Sequence, residues 1–267
     1  MVNQITVTGM VLAAAPAGEY DRRVVILTKE RGKISAFARG ARKPSSALVG
    51  MTSPFSFGEF TLYEGRTSYT LVLASISNYF AQLRSDMEGA YYGFYFLDLA
   101  GYYAREGNDE AALLGLLYQS LKALISPNIP NRLIRCVYEL KAVCISGEGP
   151  QVFQCVQCGN TEGEKRFSIK RGGIVCQRCL ERERSASSGS SASGGSACRD
   201  ALPENTVELL PSTIYTMQYI ISSSIEKLYT FAVTEEVLGE LEKITVTYLE
   251  EYAGKRFKSL EILETII

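Results

Sequence analysis

Residues 153–180 read FQCVQCGNTEGEKRFSIKRGGIVCQRCL and hold four of the chain's seven cysteines, Cys155, Cys158, Cys176 and Cys179, as two C-x-x-C pairs. The spacing C-x2-C-x17-C-x2-C lies in the range of a zinc site. Each two-residue spacer allows a tight turn that offers both thiolates to one ion, and the second pair completes a tetrahedron. Four cysteines leave no open coordination position, so such a site is structural and not Lewis-acidic. Gly159 and Gly172-Gly173 suit the turns that the knuckles need. Two other readings compete. A thioredoxin-type redox pair expects one motif beside a βαβ unit, and a pair of disulfides needs an oxidising compartment.

Composition narrows the choice. The chain has no histidine. Ser-His and Cys-His nucleophile pairs, histidine bases and mixed Cys/His zinc sites are thereby removed, and any soft metal must be held by cysteine alone. No catalytic constellation emerges; a hydrolase built on carboxylates has only lone acids such as Asp98 or Glu139 to offer. No apolar run reaches the 18 residues of a membrane span, and the opening MVNQITVTG lacks a signal-type core, so the chain reads as cytoplasmic. In that compartment clustered cysteines bind metal more often than they form disulfides. Cys136 and Cys144 fall on an apolar helical pattern and read as small core residues, whereas Cys198 has no evident role.

Working outward from the cysteines, residues 1–80 read as strands. QITVTGMVLAA, RRVVILTKE, GKISAFARG, FSFGEFTLYEG and SYTLVLASIS are rich in β-branched and aromatic residues and are separated by turn signals. Five strands so spaced predict a small closed barrel, a class that includes the OB-fold. From residue 81 the period becomes helical: Tyr91, Tyr95, Phe96 and Leu99, then Leu113, Leu114, Leu117 and Leu121, then IPNRLIRCVYELKAVCISG with Pro130 and Asn131 at its start and Gly147 at its end. After the cysteines, SASSGSSASGGSA (185–197) has the composition of a flexible loop. LPSTIYTMQYIISSSIEKLY and TEEVLGELEKITVTYLEEYAG predict two more helices, each begun by a capping Ser or Thr. The predicted class is α+β and multidomain: a barrel over 1–80, a helical domain over 81–150 and 201–267, a four-cysteine module over 151–184 and a loop over 185–200.

Charge is unevenly spread. Residues 1–80 carry nine Lys or Arg against five acids, and residues 201–267 carry five against eleven. Within the N-terminal region the basic stretch is TKERGKISAFARGARKPSS (28–46), with Lys29, Arg31, Lys33, Arg39, Arg42 and Lys43 against Glu30 alone. In a strand over 32–40, Lys33, Ser35, Phe37 and Arg39 share one face, and Ile34, Ala36 and Ala38 the other. With the first face outward, an aromatic sits between cations, as in a surface that tracks phosphates and stacks bases. With the opposite assignment, Phe37 is buried in the barrel. No P-loop and no dinucleotide fingerprint is present. RNA-binding or scaffold modules also combine such barrels with zinc knuckles, and that class stays open on the residues alone.

The basic barrel segment SAFARGARKPSS, the helical region after it and a four-cysteine block following RLIRCVYELKAVCISGEGP together resemble the bacterial RecO family of DNA-repair and recombination mediators. The resemblance covers essentially the whole chain; ARGARK and the F-x-C-x-x-C-G…G-x-x-C-x-x-C block are its specific parts. It implies an N-terminal OB-fold, a helical domain with one structural zinc ion on Cys155, Cys158, Cys176 and Cys179, and no enzymatic activity. It also implies binding of single- and double-stranded DNA, strand annealing, and work at the nucleoid. The implied partners are RecR and single-stranded DNA-binding protein, with RecA loaded indirectly. DNA-facing candidates are then Arg22, Arg23, Lys29, Arg31, Lys33, Arg39, Arg42 and Lys43. Arg132 and Arg135, on the third helix, are the candidates for the tail of single-stranded DNA-binding protein. The chain departs from the resemblance in its long Ser/Gly stretch (185–197) and its acidic C-terminal third, and that acidity speaks against a continuous DNA path over the C-terminal helices and for a protein contact there, or none.

Overall fold

The computed structural model describes residues 3–66, 68–163, 165–188 and 206–266. In chain order its elements are β1 (Asn3–Ala17), β2 (Asp21–Thr28), β3 (Gly32–Ala38), α1 (Leu48–Met51), β4 (Phe57–Glu64), β5 (Tyr69–Asn78), α2 (Met87–Tyr103), α3 (Ala111–Ile125) and α4 (Asn131–Ile145). There follow β6 (Lys165–Ser168), β7 (Gly173–Cys176), α5 (Gln177–Ser188), β8 (Thr206–Glu208), α6 (Pro211–Ser222), α7 (Glu235–Ala253) and α8 (Lys258–Ile266). Two compact units result, Met1–Tyr138 with Arg256–Ile267, and Glu139–Lys255.

In the first unit the five strands form a closed ring in the order β1-β2-β3-β5-β4. All neighbours are antiparallel except β3 and β5. Alternation along each strand sends Val7, Val11, Val24, Ile26, Ile34, Phe60, Leu62 and Leu71 inward, with Ala36 and Ala38 where the narrow interior has no room for more. Each fully buried aliphatic or aromatic chain here contributes about 1.5–3 kcal/mol. A bulge between Val11 and Ala13 bends β1, which pairs with β4 along its first part and with β2 along its second. The outward assignment of Phe37 is the one observed: Ile34, Ala36 and Ala38 are buried and Phe37 is exposed.

The helices of this unit pack on one another and on the barrel through aromatic contacts, with Phe57 of β4 meeting Tyr118 of α3 at 4.6 Å. Tyr138 of α4 stacks on Phe96 of α2 at 4.2 Å and donates its hydroxyl to the Phe96 carbonyl at 2.8 Å. The short helix α8, which the sequence reading missed, returns to α2: Phe257 meets Tyr95 and Tyr102 edge-on, and Ser259 Oγ donates to Asp98. The β2–β3 turn is pinned to the α2–α3 connection, with Lys33 N donating to Arg105 O and Gly107 N to Arg31 O, both at 3.0 Å. Gly32 at that turn has φ +64°, and a Cβ there would lie 1.9 Å from the Arg105 carbonyl oxygen, so only glycine fits.

In the second unit β7, β6 and β8 make a three-stranded antiparallel sheet. Thr234 caps α7 by accepting from Val237 N, and Gly254 ends that helix in the left-handed region. Helix α6 differs from expectation: Leu210 occupies the cap position without a side-chain bond and Pro211 supplies the first turn. Its start is held instead by Glu240, which accepts from Leu210 N and Thr213 Oγ1. The far end of α6 is held by Lys141 Nζ, which donates to the carbonyls of Ile220, Ile221 and Ser223 at 2.7–3.2 Å. Tyr248 stacks on Tyr252 at 4.3 Å and donates to Glu148 O. Residues 185–188 of the Ser/Gly stretch form the last turn of α5; the rest of it, and Cys198, lie outside the described residues.

Candidate metal centre and nucleic-acid interface

The two knuckles come together in the second unit. The first is a turn at Cys155–Gly159, closed by Gly159 N donating to Cys155 O at 2.9 Å, with Gly159 at φ +71°. The second lies where β7 ends at Cys176 and α5 begins, so Cys179 sits in the first turn of a helix whose positive end favours thiolates. All four sulfurs lie within 4.8 Å of one another, and Cys158 Sγ is 3.6 Å from Cys176 Sγ. A tetrahedron with bonds of about 2.3 Å has sulfur–sulfur edges of about 3.8 Å, so the cluster fits a zinc ion of that size.

The electrostatics fit a cation as well. The backbone N–H of Asn160, followed by hydrogen bonds from the neighbouring thiols, Cys179 first, brings the Cys158 thiol down to about 6. Cys155 is lowered too: burial pushes it up, but the N–H groups of Cys176, Cys158 and Gln157 outweigh that. Burial and the neighbouring sulfurs push Cys179 up to about 12. Four thiols at this spacing cannot all ionise unaided; a divalent cation removes the conflict. Around them Arg171 donates to Glu183 at 2.7 Å and Gln157 donates to the same carboxylate, tying the first knuckle to α5. Cys136 is buried and Cys144 half-buried on α4, and neither belongs to the four-cysteine cluster.

The eight barrel cations separate into three groups. Arg23, Arg39, Arg42 and Lys43 are exposed at one end of the barrel. There Arg42 Nη1 donates to Gly18 O and Glu19 O, Gly40 N donates to Asp21 Oδ1 at 2.7 Å, and Lys43 Nζ lies 5.3 Å from the centre of the Tyr20 ring. These contacts fold the 39–43 segment against the β1–β2 turn. Arg23 stands on the outer face, its Nε donating to Ser35 Oγ at 2.8 Å. Lys29 and Arg31 are exposed at the opposite end, about 24 Å away along the eight residues of β2.

Arg22 and Lys33 are engaged internally. Arg22 donates to Val49 O and Thr52 Oγ1, both at 2.9 Å, and holds the segment around α1 against the barrel. Lys33 Nζ donates to Gly101 O at 2.6 Å, meeting the negative end of α2. On α4, Arg132 is half-buried and Arg135 is only 8% exposed. The barrel residues that the sequence reading passed over are the exposed aromatics Tyr20, which lies under Lys43, and Tyr63, which stands on the outer face of β4. Period-2 alternation along FTLYE was the available signal for Tyr63.

Comparison with known proteins adds an independent line. Residues 1–80 match the family described as recombination protein O N terminal, and residues 84–192 and 181–261 match recombination protein O C terminal. The DNA repair protein RecO of Acetivibrio thermocellus is 30% identical, across 99% of this chain and 98% of the relative. That of Listeria monocytogenes is 30% identical across 96% and 92%, and that of Bacillus subtilis 27% identical across the same shares. With a ring of five strands, a four-cysteine cluster and matches to both halves of the family along nearly its full length, the chain belongs to the RecO family of recombination proteins.

Proposed function

We propose that the chain is a non-catalytic mediator of DNA repair and recombination: an OB-type barrel that binds single- and double-stranded DNA and anneals complementary strands, beside a helical region stabilised by one zinc ion. In this reading it works with RecR and single-stranded DNA-binding protein to help load RecA, at the nucleoid. The observation that carries the reading is the cluster of Arg23, Arg39, Arg42 and Lys43 at one end of the barrel, in a chain of this family.

Annealing requires no bond chemistry. Two strands repel through their phosphates, and a surface that neutralises several charges at once lowers the barrier to their meeting. Contacts to the backbone leave base edges free to pair, so binding is independent of sequence and falls with salt. With Arg22 and Lys33 engaged internally, four cations remain at the Tyr20 end; if each meets one phosphate, the log–log salt slope on single strands is about −2.8. If Lys29 and Arg31 join in, it steepens to about −4.2. The half-buried Arg132 is the candidate contact for single-stranded DNA-binding protein. The test is binding of single strands across a salt series together with annealing. A flat salt dependence, or no acceleration of annealing, overturns the reading and returns the chain to the scaffold class.

A further inference from the structure

We infer that the barrel carries an apolar platform for unpaired bases, formed by Phe37, Tyr63 and Leu73, which makes this surface select single strands over duplex. The inference rests on the DNA-binding reading above and adds to it the form of the nucleic acid that the site takes.

The register places the platform. Arg23 lies opposite Phe37, Phe37 beside Thr70, Thr70 opposite Tyr63 and Tyr63 opposite Gln4, so one row crosses β2, β3, β5, β4 and β1 on the outer face. Phe37 and Tyr63 are 40% and 39% exposed, and stand two strand spacings apart, about 10 Å, with the small Thr70 between them. A bulge in β5 opposite Thr61 and Leu62 breaks the alternation, so that Val72 and Leu73 are both exposed, at 44% and 57%. The result is two rings in one row, with Leu73 opposite Thr61 two residues along β4 from Tyr63, on the outside of a barrel whose inside is already filled. Exposed apolar side chains gathered on one outer face, which the filled core does not need, are what a binding surface presents.

Charge complementarity identifies the occupant. Arg23 flanks Phe37 in the same row, and Arg39 follows the last β3 residue paired with β5. The Tyr20, Arg42 and Lys43 cluster lies at the end of β2 that holds Arg23. Along β4 the outward face passes from Tyr63 through Thr61 to Glu59, where the platform stops at a carboxylate. Cations beside flat apolar faces suit a ligand that presents phosphates and exposed base faces together. A single strand does so; a duplex keeps its base faces stacked inside and offers the cations its backbone alone.

The test uses the full chain with a labelled oligothymidine and a duplex of equal length. Two double variants are compared with the wild type: Phe37→Ala with Tyr63→Ala, and Phe37→Leu with Tyr63→Leu, which keeps apolar bulk without a ring face. Both variants are expected to weaken single-strand binding roughly 25-fold or more. Duplex affinity should stay within about twofold and the salt slope should not change, because no phosphate contact is lost. If single-strand affinity survives loss of both rings, or single-strand and duplex affinities fall together, the platform is refuted while the DNA-binding reading stands. Leucine variants that bind like the wild type also refute stacking. If the wild type binds neither nucleic acid, the DNA-binding reading itself fails.

Discussion

Removing the metal from the cysteine cluster should loosen the second unit locally and leave the barrel intact. Six large apolar side chains in and beside the knuckles are buried, Val152, Phe167, Ile169, Ile174, Val175 and Leu180. At about 1.5–3 kcal/mol each they contribute about 9–18 kcal/mol. A structural zinc ion contributes about 10–16 kcal/mol in small zinc domains. A zinc ion held by the four cysteines would therefore supply on the order of half of the favourable energy that holds residues 151–180, and its loss should open the β6–β7 hairpin rather than weaken it slightly. The assay is hydrogen exchange by mass spectrometry on the metal-loaded chain, on the chelated chain and on Cys179→Ala. Amides of 165–176 should lose protection by on the order of 10³-fold or more, while those of β1 to β5 keep theirs. Metal analysis on protein purified without chelator should give one zinc per chain. Unchanged protection at 165–176 after verified removal of the metal, or a chain purified with no zinc, would refute this account of the cluster.

Other substitutions separate structural cations from those that meet DNA. Lys141→Met should cost about 2–3 kcal/mol in denaturant unfolding, because three carbonyls at the end of α6 lose a charged donor together; a change below about 0.5 kcal/mol would show that water replaces it. Arg22→Ala should lower stability by about 1–3 kcal/mol through the loss of its bonds to Val49 and Thr52, with the salt slope of DNA binding unchanged. A shallower slope would instead place Arg22 on a phosphate. Gly32→Val should destabilise the first unit strongly, seen as a fall in melting temperature, because it combines φ +64° with a clash at the Arg105 carbonyl.

The barrel was legible because its strands announce themselves twice, in β-branched composition and in turns at Gly18, Gly32 and Gly65. The zinc-type spacing was legible because two-residue spacers dictate a local geometry that distant sequence cannot alter. The β6, β7 and β8 strands are three or four residues long, too short for a period to register, and α5 is so polar that its sequence resembles the Ser/Gly-rich composition of 189–197. For the cations, sequence reports charge and not partner. Arg22 and Arg23 are adjacent and equally basic, yet Arg22 bonds Val49 and Thr52 while Arg23 stands on the outer face, because the fold brings the segment around α1 to one of them. The exposure of Leu73 was hidden for a related reason: it depends on a bulge that arises from pairing with β4, not from β5 itself.

Annealing of complementary strands coated with single-stranded DNA-binding protein, by the wild type and by an Arg39→Glu, Lys43→Glu double variant, bears most directly on the role of the barrel's basic end. Arg42 is left in place because it holds the Gly18–Glu19 turn. Two lost phosphate contacts should make the single-strand salt slope shallower by about 1.4. Annealing should fall at least tenfold, with the zinc content and melting temperature of the wild type retained. Annealing that proceeds at the wild-type rate in the variant, or a wild type that does not anneal at all, would contradict the proposal that this surface brings the strands together.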